Sequence, residues 1–259
     1  MEAISSRQNS IIKQVRKLLT NAKYRREQGL AVGEGVHLTD CLLQSGLLPK
    51  LLVVADTALK NSEIITIIKC VENLEANKVV VKDSLFSAVS DIGDGVLVVF
   101  DIPKFGTSKV LDADAVLLED IQDPGNVGTI LRTTAAAGID RVYLSAGCAS
   151  VWSPKVLRAG MGAQFGLDIF EAADLAKLIE TSKVPVLATS LEATESIYDQ
   201  DLRHSTVWLF GNEGQGVSAH LEAVVNKKVV IPQLNSSVES LNVAASVAVC
   251  LYEQLRQRM

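Results

Sequence analysis

Three polar segments hold the residue types from which a reaction could be assembled. The first reads Asp120-Ile121-Gln122-Asp123-Pro124-Gly125-Asn126-Val127-Gly128-Thr129-Ile130-Leu131-Arg132, and the second Phe210-Gly211-Asn212-Glu213-Gly214-Gln215-Gly216. The third is Glu239-Ser240-Leu241-Asn242-Val243-Ala244, preceded by Ile231-Pro232. In the first, Pro124 and Gly125 open a turn, and Asn126 stands where a helix N-cap would. Asn126 then serves as a plain cap or within an anion-holding turn, since helix N-termini present backbone N–H groups. The pattern GxxxxGK[ST] is missing, which argues against nucleotide hydrolysis. Arg132 is six residues further on, about 240° around a helix from Asn126. The two converge only if Asn126 belongs to the turn. Arg132 sits among Ile130, Leu131, Ala135 and Ala136. An unpaired arginine is costly to bury, so it should face a partner or a site.

The second segment follows a strand pattern at 207–210. Gly211, Gly214 and Gly216 allow backbone conformations and close approaches closed to other residues, and Glu213 is the one charge among them. This reads either as a glycine-rich turn with an exposed carboxylate or as a cradle for a bound group. The third segment puts Ser240 and Asn242 at the start of the last helix, where Ser240 alone would be an ordinary N-cap. Between the first two segments lie Lys155 and Arg158, three residues apart and so on one side of a helical turn. They read as solvated surface charge or as contacts for phosphates.

The apolar spacing supplies elements to position these residues. Ile11, Ile12, Val15, Leu18 and Leu19 recur at intervals of three and four. That predicts a helix capped at Asn9-Ser10 and stopped at Gly29. Strands over 50–55, 78–81 and 96–100, with helices over 37–43 and 62–74, make a small α/β unit of residues 1–100. Pro103, Gly106, Thr107 and Ser108 mark a linker over 101–114. Strands at 115–118, 141–144, 184–188, 207–210 and 229–231 alternate with helical stretches, among them 127–137. A closing helix begins near 241. This pattern predicts a second α/β unit over 115–259 with a mostly parallel sheet.

Charge is distributed unevenly. The 259 residues carry a net charge of −5, which taken alone argues against a nucleic-acid partner. Yet residues 1–28 hold Arg7, Lys13, Arg16, Lys17, Lys23, Arg25 and Arg26 against Glu2 and Glu27, a local +5 that leaves −10 for the rest. Local charge governs contact with phosphates; the alternative is a solvated helix face. Cys41, Cys70, Cys148 and Cys250 are far apart and form no CxxC pair, so they read as buried, reduced thiols. Three dispersed histidines argue against a zinc site. No apolar run is long enough to cross a bilayer, and the start of the chain has no apolar signal region. A cytoplasmic protein is the expectation.

In order, the three segments resemble the three motifs of the SpoU (TrmH-like) RNA ribose 2′-O-methyltransferases of the SPOUT class. The resemblance implies an α/β catalytic domain whose C-terminal segment threads a loop to form a deep trefoil knot. Ordinary connection rules forbid such threading, and the knot enters through the resemblance alone. The N-terminal region is similar to the L30e-like RNA-binding domain that often precedes it, on Asn9, Lys13, Lys17-Leu18, Arg25-Arg26 and Glu34-Gly35. The implied cofactor is S-adenosylmethionine, held by the motif glycines, with Thr189, Leu209, Gly211, Gly216, Ile231 and Leu241 at family positions around it. The implied catalytic set is Asn126, Arg132, Glu213, Ser240 and Asn242. Lys13, Arg16, Lys17, Arg25 and Arg26 become RNA contacts, as do Lys155 and Arg158. A homodimer follows, with Arg132 serving its own cofactor or the partner's, and with no metal and no membrane. Ribosomal RNA is the expected substrate and transfer RNA the second. A knotted RNA-binding protein without catalysis and an enzyme acting on a base nitrogen are the other readings; Ser-Leu-Asn in the third motif favours ribose. No motif cysteine is present for a covalent route through a base. One departure is a six-residue spacer without glycine at 233–238, where the family has five residues with one.

Overall fold

In the computed structural model, which describes residues 3–72, 74, 76–90, 92–106, 110–234 and 239–259, the basic amino-terminal stretch forms two helices where one is expected. Helix α1 (Ser10–Thr20) buries Ile12, Val15 and Leu18 along one face. The Asn9 side chain caps it by accepting from Ile11 N–H at 2.9 Å. Asn21 then turns extended, at φ −125° and ψ 106°, and caps α2 (Ala22–Gln28) by accepting from Tyr24 N–H. Gly29, at φ 63°, ends α2 in the left-handed conformation that suits glycine. A cap residue at Asn21 therefore ends the first helix well before the stop signal at Gly29.

The chain continues through β1 (Leu30–Glu34), α3 (Val36–Gln44), β2 (Pro49–Ala55), α4 (Ser62–Glu72), β3 (Asn77–Val81), α5 (Asp83–Phe86) and β4 (Val96–Asp101). The four strands form a mixed sheet in the order β1-β4-β2-β3. β4 runs antiparallel to both its neighbours, while β2 and β3 are parallel. Ile12, Val15 and Leu18 of α1 pack on Leu30, Val32, Leu51, Val53, Leu97 and Val99 of this sheet.

The second sheet draws on β5 (Ala115–Leu118), α6 (Pro124–Ala136), β6 (Arg141–Leu144), α7 (Pro154–Gly160), β7 (Asp168–Phe170), α8 (Leu175–Glu180), β8 (Val186–Thr189), β9 (Val207–Phe210), α9 (Ala219–Glu222), β10 (Lys227–Val229) and α10 (Val243–Arg258). Its order is β10-β8-β9-β5-β6-β7, and every neighbouring pair is parallel. Strands β5, β8 and β9 are apolar at nearly every position, as strands covered on both faces must be. Leu175, Leu178 and Ile179 of α8 join their core. Helix α10 packs against α6 and buries Val247, Cys250 and Leu251. After β7 the chain returns to the other side of β5. In open α/β sheets, ligands bind beyond the carboxyl ends of the strands at such a reversal.

The chain divides into two compact units. One comprises the described residues of Met1–Lys104 together with Trp152–Phe165; the other comprises those of Phe105–Val151 and Gly166–Met259. The first unit therefore includes α7, although its neighbours in sequence, β6 and β7, lie in the parallel sheet. Within that unit Phe100 meets Phe165 and Trp152 edge-on, with ring centroids 5.4 and 6.3 Å apart. Thr107 and Ser108 of the expected linker, and residues 235–238 of the glycine-free spacer, lie outside the described residues. The cysteines differ from their expected uniform burial. Cys250 is buried, Cys41 and Cys148 are half-buried and Cys70 is exposed, on α4. Among the described residues no helix is long and apolar enough to cross a membrane, and no group of three or more His, Cys, Asp or Glu is placed to hold a metal.

Candidate active site

Loops after β8, β9 and β10 line a cavity of about 560 Å³ in the second unit. Thr189, Gly211, Gly216, Ile231, Ser240 and Leu241 all stand on its wall. Leu209 does not: its side chain is fully buried in β9, in register with Leu117 and Ala188. The loop over 211–216 folds tightly on itself. A Cβ on Gly211 would overlap the Gly216 carbonyl and the Val217 nitrogen, so only glycine fits there. Gly216 adopts φ 70°, and its N–H returns to Asn212 O at 2.9 Å. The Asn212 side-chain oxygen accepts from Gly214 and Gln215 N–H at 2.9 and 3.2 Å.

Three of the expected catalytic side chains, one from each polar segment, are tied together. Asn242 Nδ2 donates to Asn126 Oδ1 at 3.0 Å. Asn126 Nδ2 donates to Glu213 Oε1, also at 3.0 Å. The backbone N–H of Asp123 reaches the same carboxylate oxygen at 3.4 Å. Two caps differ from expectation. Helix α6 is capped by Asp123, whose Oδ1 accepts from Asn126 N–H at 2.8 Å, so Asn126 lies in the first helical turn. Helix α10 is capped by Asn242, whose Oδ1 accepts from Ala244 and Ala245 N–H. Ser240 stands on the cavity wall and, among the described residues, takes no part in this chain of bonds.

Arg132 does not join them. An arginine among apolar neighbours should face a partner or a site, and the residue stands exposed on α6. Among the described residues it makes no hydrogen bond or ion pair. With Asn126 helical as well, six residues of helix carry the two side chains to different faces.

The basic residues fall into two groups. Lys13, Arg16, Lys17 and Arg26 are exposed on α1 and α2, with Lys17 Nζ 5.4 Å from the centroid of the Tyr24 ring. Arg25 is buried, at 6% exposure, and is a correction to the expected RNA-contact set. Its Nη1 donates to Leu18 O at 2.7 Å and approaches Leu19 O at 3.4 Å. Carbonyls in the last turn of a helix have no partner within it, and the Arg25 guanidinium, folding back from α2, supplies a donor with a charge that suits a helix C-terminus. On α7, Lys155 is exposed, while Arg158 Nη2 lies 4.0 Å from Glu34 Oε2. The Glu34 carboxylate, with a side chain only 7% exposed, also accepts from Ser90 Oγ at 2.7 Å.

Several participants have no role that the sequence alone assigns. Asp123 was legible, since an Asp before Pro at a helix start is a cap signal. Asp120, Ser145 and Asn212 had no such signal, because their bonds run between segments far apart in the chain. Cys148 sits beside them, its thiol in contact with Leu118 O at 3.3 Å. Burial pushes the pKa of that thiol up, away from the thiolate form that a nucleophile needs.

A parallel sheet with a glycine-cradled cavity beyond its strand ends defines an α/β enzyme that binds a small molecule there. Residues 114–252 match the SpoU rRNA methylase family, and residues 9–93 match an MRM3-like substrate binding domain. The chain belongs to the SpoU rRNA methylase family. Among its relatives is a protein of Synechocystis sp., named an uncharacterised tRNA/rRNA methyltransferase, 36% identical over 99% of this chain and 94% of that one. Another is the 23S rRNA (guanosine(2553)-2′-O)-methyltransferase RlmP of Bacillus subtilis, 32% identical over 97% of this chain and 98% of that one. The crystal structure of an AdoMet-bound rRNA methyltransferase from Sinorhizobium meliloti superposes with a TM-score of 0.86 at 25% identity, covering 100% of this chain and 98% of that one.

Proposed function

We propose that this protein transfers the methyl group of S-adenosylmethionine to a ribose 2′-hydroxyl of ribosomal RNA. The observation that carries the reading is the hydrogen-bonded chain Asn242–Asn126–Glu213, drawn from three separate polar segments, with Glu213 on the cavity wall. The residues present fit the cofactor. The cavity is of small-molecule size. Its floor at Gly211 has no space for a side chain, and Thr189, Ile231 and Leu241 offer surfaces for an adenosine. Glu192, Glu213 and Glu239 on the wall suit a cationic ligand. RlmP and the AdoMet-bound relative act on RNA by name, which supports the same substrate here.

When bound, the cofactor supplies a methyl group already activated by its sulfonium. The protein must then orient the ribose and ease the loss of one proton. Asn126 is held on both sides, by Glu213 and by Asn242, so it presents a fixed edge to the ribose instead of a mobile one. Ser240 adds a hydroxyl at the wall. Arginine keeps its proton at any working pH. Arg132 therefore acts by gripping the adjacent phosphate and stabilising charge that develops on the attacking oxygen.

An exposed Arg132 serves best across a two-fold interface, and we read the working form as a homodimer. Ala245 is exposed on α10, which packs against α6, and so small a side chain permits close approach. A trefoil knot in the second unit belongs to the same reading, supported by the three loops that meet at one cavity. So does an L30e-like role for the first unit, supported by its mixed sheet and its match to a substrate binding domain. Lys13, Arg16, Lys17 and Arg26 hold phosphates there, with Lys155 and Arg158. A ribosomal RNA substrate is compatible with work in the cytoplasm. Transfer RNA is the second substrate class, since the Synechocystis relative is named for both.

The test is methyl transfer from radiolabelled S-adenosylmethionine to total ribosomal RNA and, separately, to total transfer RNA, each from cells lacking the protein. Label in an alkali-resistant dinucleotide from ribosomal RNA is the expected result. Label in transfer RNA alone moves the substrate. Label on a base, or RNA binding with no transfer to either RNA, overturns the reading.

A further inference from the structure

We propose that Asp120 and Asn212, which no motif role accounts for, are positioning residues for the cofactor site. This rests on the reading of the cavity given under Proposed function.

Asp120 follows β5 and has φ 53°, a left-handed conformation that costs an aspartate energy and persists only where neighbours impose it. The neighbour that imposes it is Ser145, just past β6. The backbone N–H of Asp120 donates to Ser145 Oγ at 2.9 Å, and the Ser145 hydroxyl donates to Asp120 Oδ1 at 2.5 Å. A Cβ on Gly147 would overlap the Asp120 carboxylate, so the turn after β6 is shaped around that side chain. Held in this conformation, Asp120 offers its carbonyl to Asn212 Nδ2 at 2.8 Å.

Asn212 uses both ends of its amide. One end grips Asp120, and the other accepts from Gly214 and Gln215 N–H. The loop it organises lines the cavity from Gly211 to Gly216 and carries Glu213, which in turn holds Asn126. A route of short bonds therefore runs from Ser145 through Asp120 and Asn212 to the loop of the cofactor wall. Ser145 and Asp120 are not among the cavity-lining residues, so they act by placing others.

The experiment measures S-adenosylmethionine binding by calorimetry and KM for each substrate, with ribosomal RNA as acceptor. It compares the native chain with Asn212→Ala, Asn212→Asp and Ser145→Ala. Asn212→Ala should raise the KM for S-adenosylmethionine about tenfold or more, since small displacements at a site cost this much. The KM for RNA should stay within about twofold, and the melting temperature should hardly move. Asn212→Asp keeps the acceptor for Gly214 and Gln215 and should recover part of the loss. Ser145→Ala removes no side chain from the loop and loosens it only through Asp120, so it should give a smaller rise, about threefold, which keeps the test decisive if Asn212→Ala does not fold. A KM for S-adenosylmethionine unchanged in the folded variants overturns the inference, and so does an equal rise in both KM values. A native chain that fails to bind S-adenosylmethionine overturns the functional reading itself, and this inference with it.

Discussion

On α1, Lys13, Arg16 and Lys17 stand exposed, and their side chains make no hydrogen bond or ion pair among the described residues. At the cavity, Asn126, Glu213 and Asn242 are tied to one another at 3.0 Å and to the caps of two helices. In the first region the useful quantity is summed charge. Each cation adds a similar increment, and its position needs only rough control. In the second it is geometry: each side chain is placed by the next, and losing one releases its neighbours. Single substitutions should therefore be strong and specific at the cavity, but weak, additive and salt-dependent on the helices.

Arg132 offers the sharpest way to break that contrast, because it belongs to neither group: exposed like a surface cation, yet assigned to chemistry. Arg132→Ala should lower the transfer rate by about a hundredfold or more, with calorimetric binding of S-adenosylmethionine unchanged. Near-native turnover would make it one more phosphate contact. The next largest effect should come from Arg25, a basic residue that behaves as part of a bound network. Arg25→Ala strips the donor from the Leu18 and Leu19 carbonyls. It should cost about 2 kcal/mol of stability in urea unfolding, while RNA affinity per folded molecule holds.

Lys13→Ala, Arg16→Ala and Lys17→Ala should each weaken RNA binding only a few-fold. Each should also reduce the slope of log affinity against log salt by about 1. A full loss of binding from one of them would mean geometry rules there too. The smallest effect expected is in acid. Arg256 and Gln257 hold the Glu253 carboxyl at about 2, below its ordinary 4.5. The folded state thus favours the ionised form. That stability is complete above the unfolded pKa and fades as pH falls from about 4.5 towards 2. Melting temperatures across this range should fall less steeply for Glu253→Gln, and methyl transfer near neutral pH should not change.

Legibility in the sequence followed how local each cause was. The strands at 115–118, 141–144 and 207–210 appear at those residues, because each is a short apolar run between turn signals. The split between α1 and α2 is not legible, since the stop signal is Gly29 while the cap at Asn21 shows itself only in its backbone conformation. Strand β7, with three residues, is too short for a period to declare itself. At the site, the residue types of Asn126, Glu213 and Asn242 were readable in their motifs, but their mutual bonds span up to 116 positions of sequence. The exposure of Arg132 is hidden from sequence for a related reason. Its neighbours along the chain are apolar, whereas helix phase turns it outward.

What the sequence determined by itself was the set of local preferences. These are the glycines at 211 and 216, the apolar strands and the basic helical face, each set by nearest neighbours along the chain. Motif order added the family. The tertiary structure decided which polar groups meet. It sent Arg25 inward to the end of α1, left Arg132 outside the asparagine–glutamate chain, and held Asp120 at φ 53° against Ser145. The physical reason is that a hydrogen bond depends on distances of about 3 Å. Such distances between residues remote in sequence exist only once the sheet has put the ends of its strands side by side.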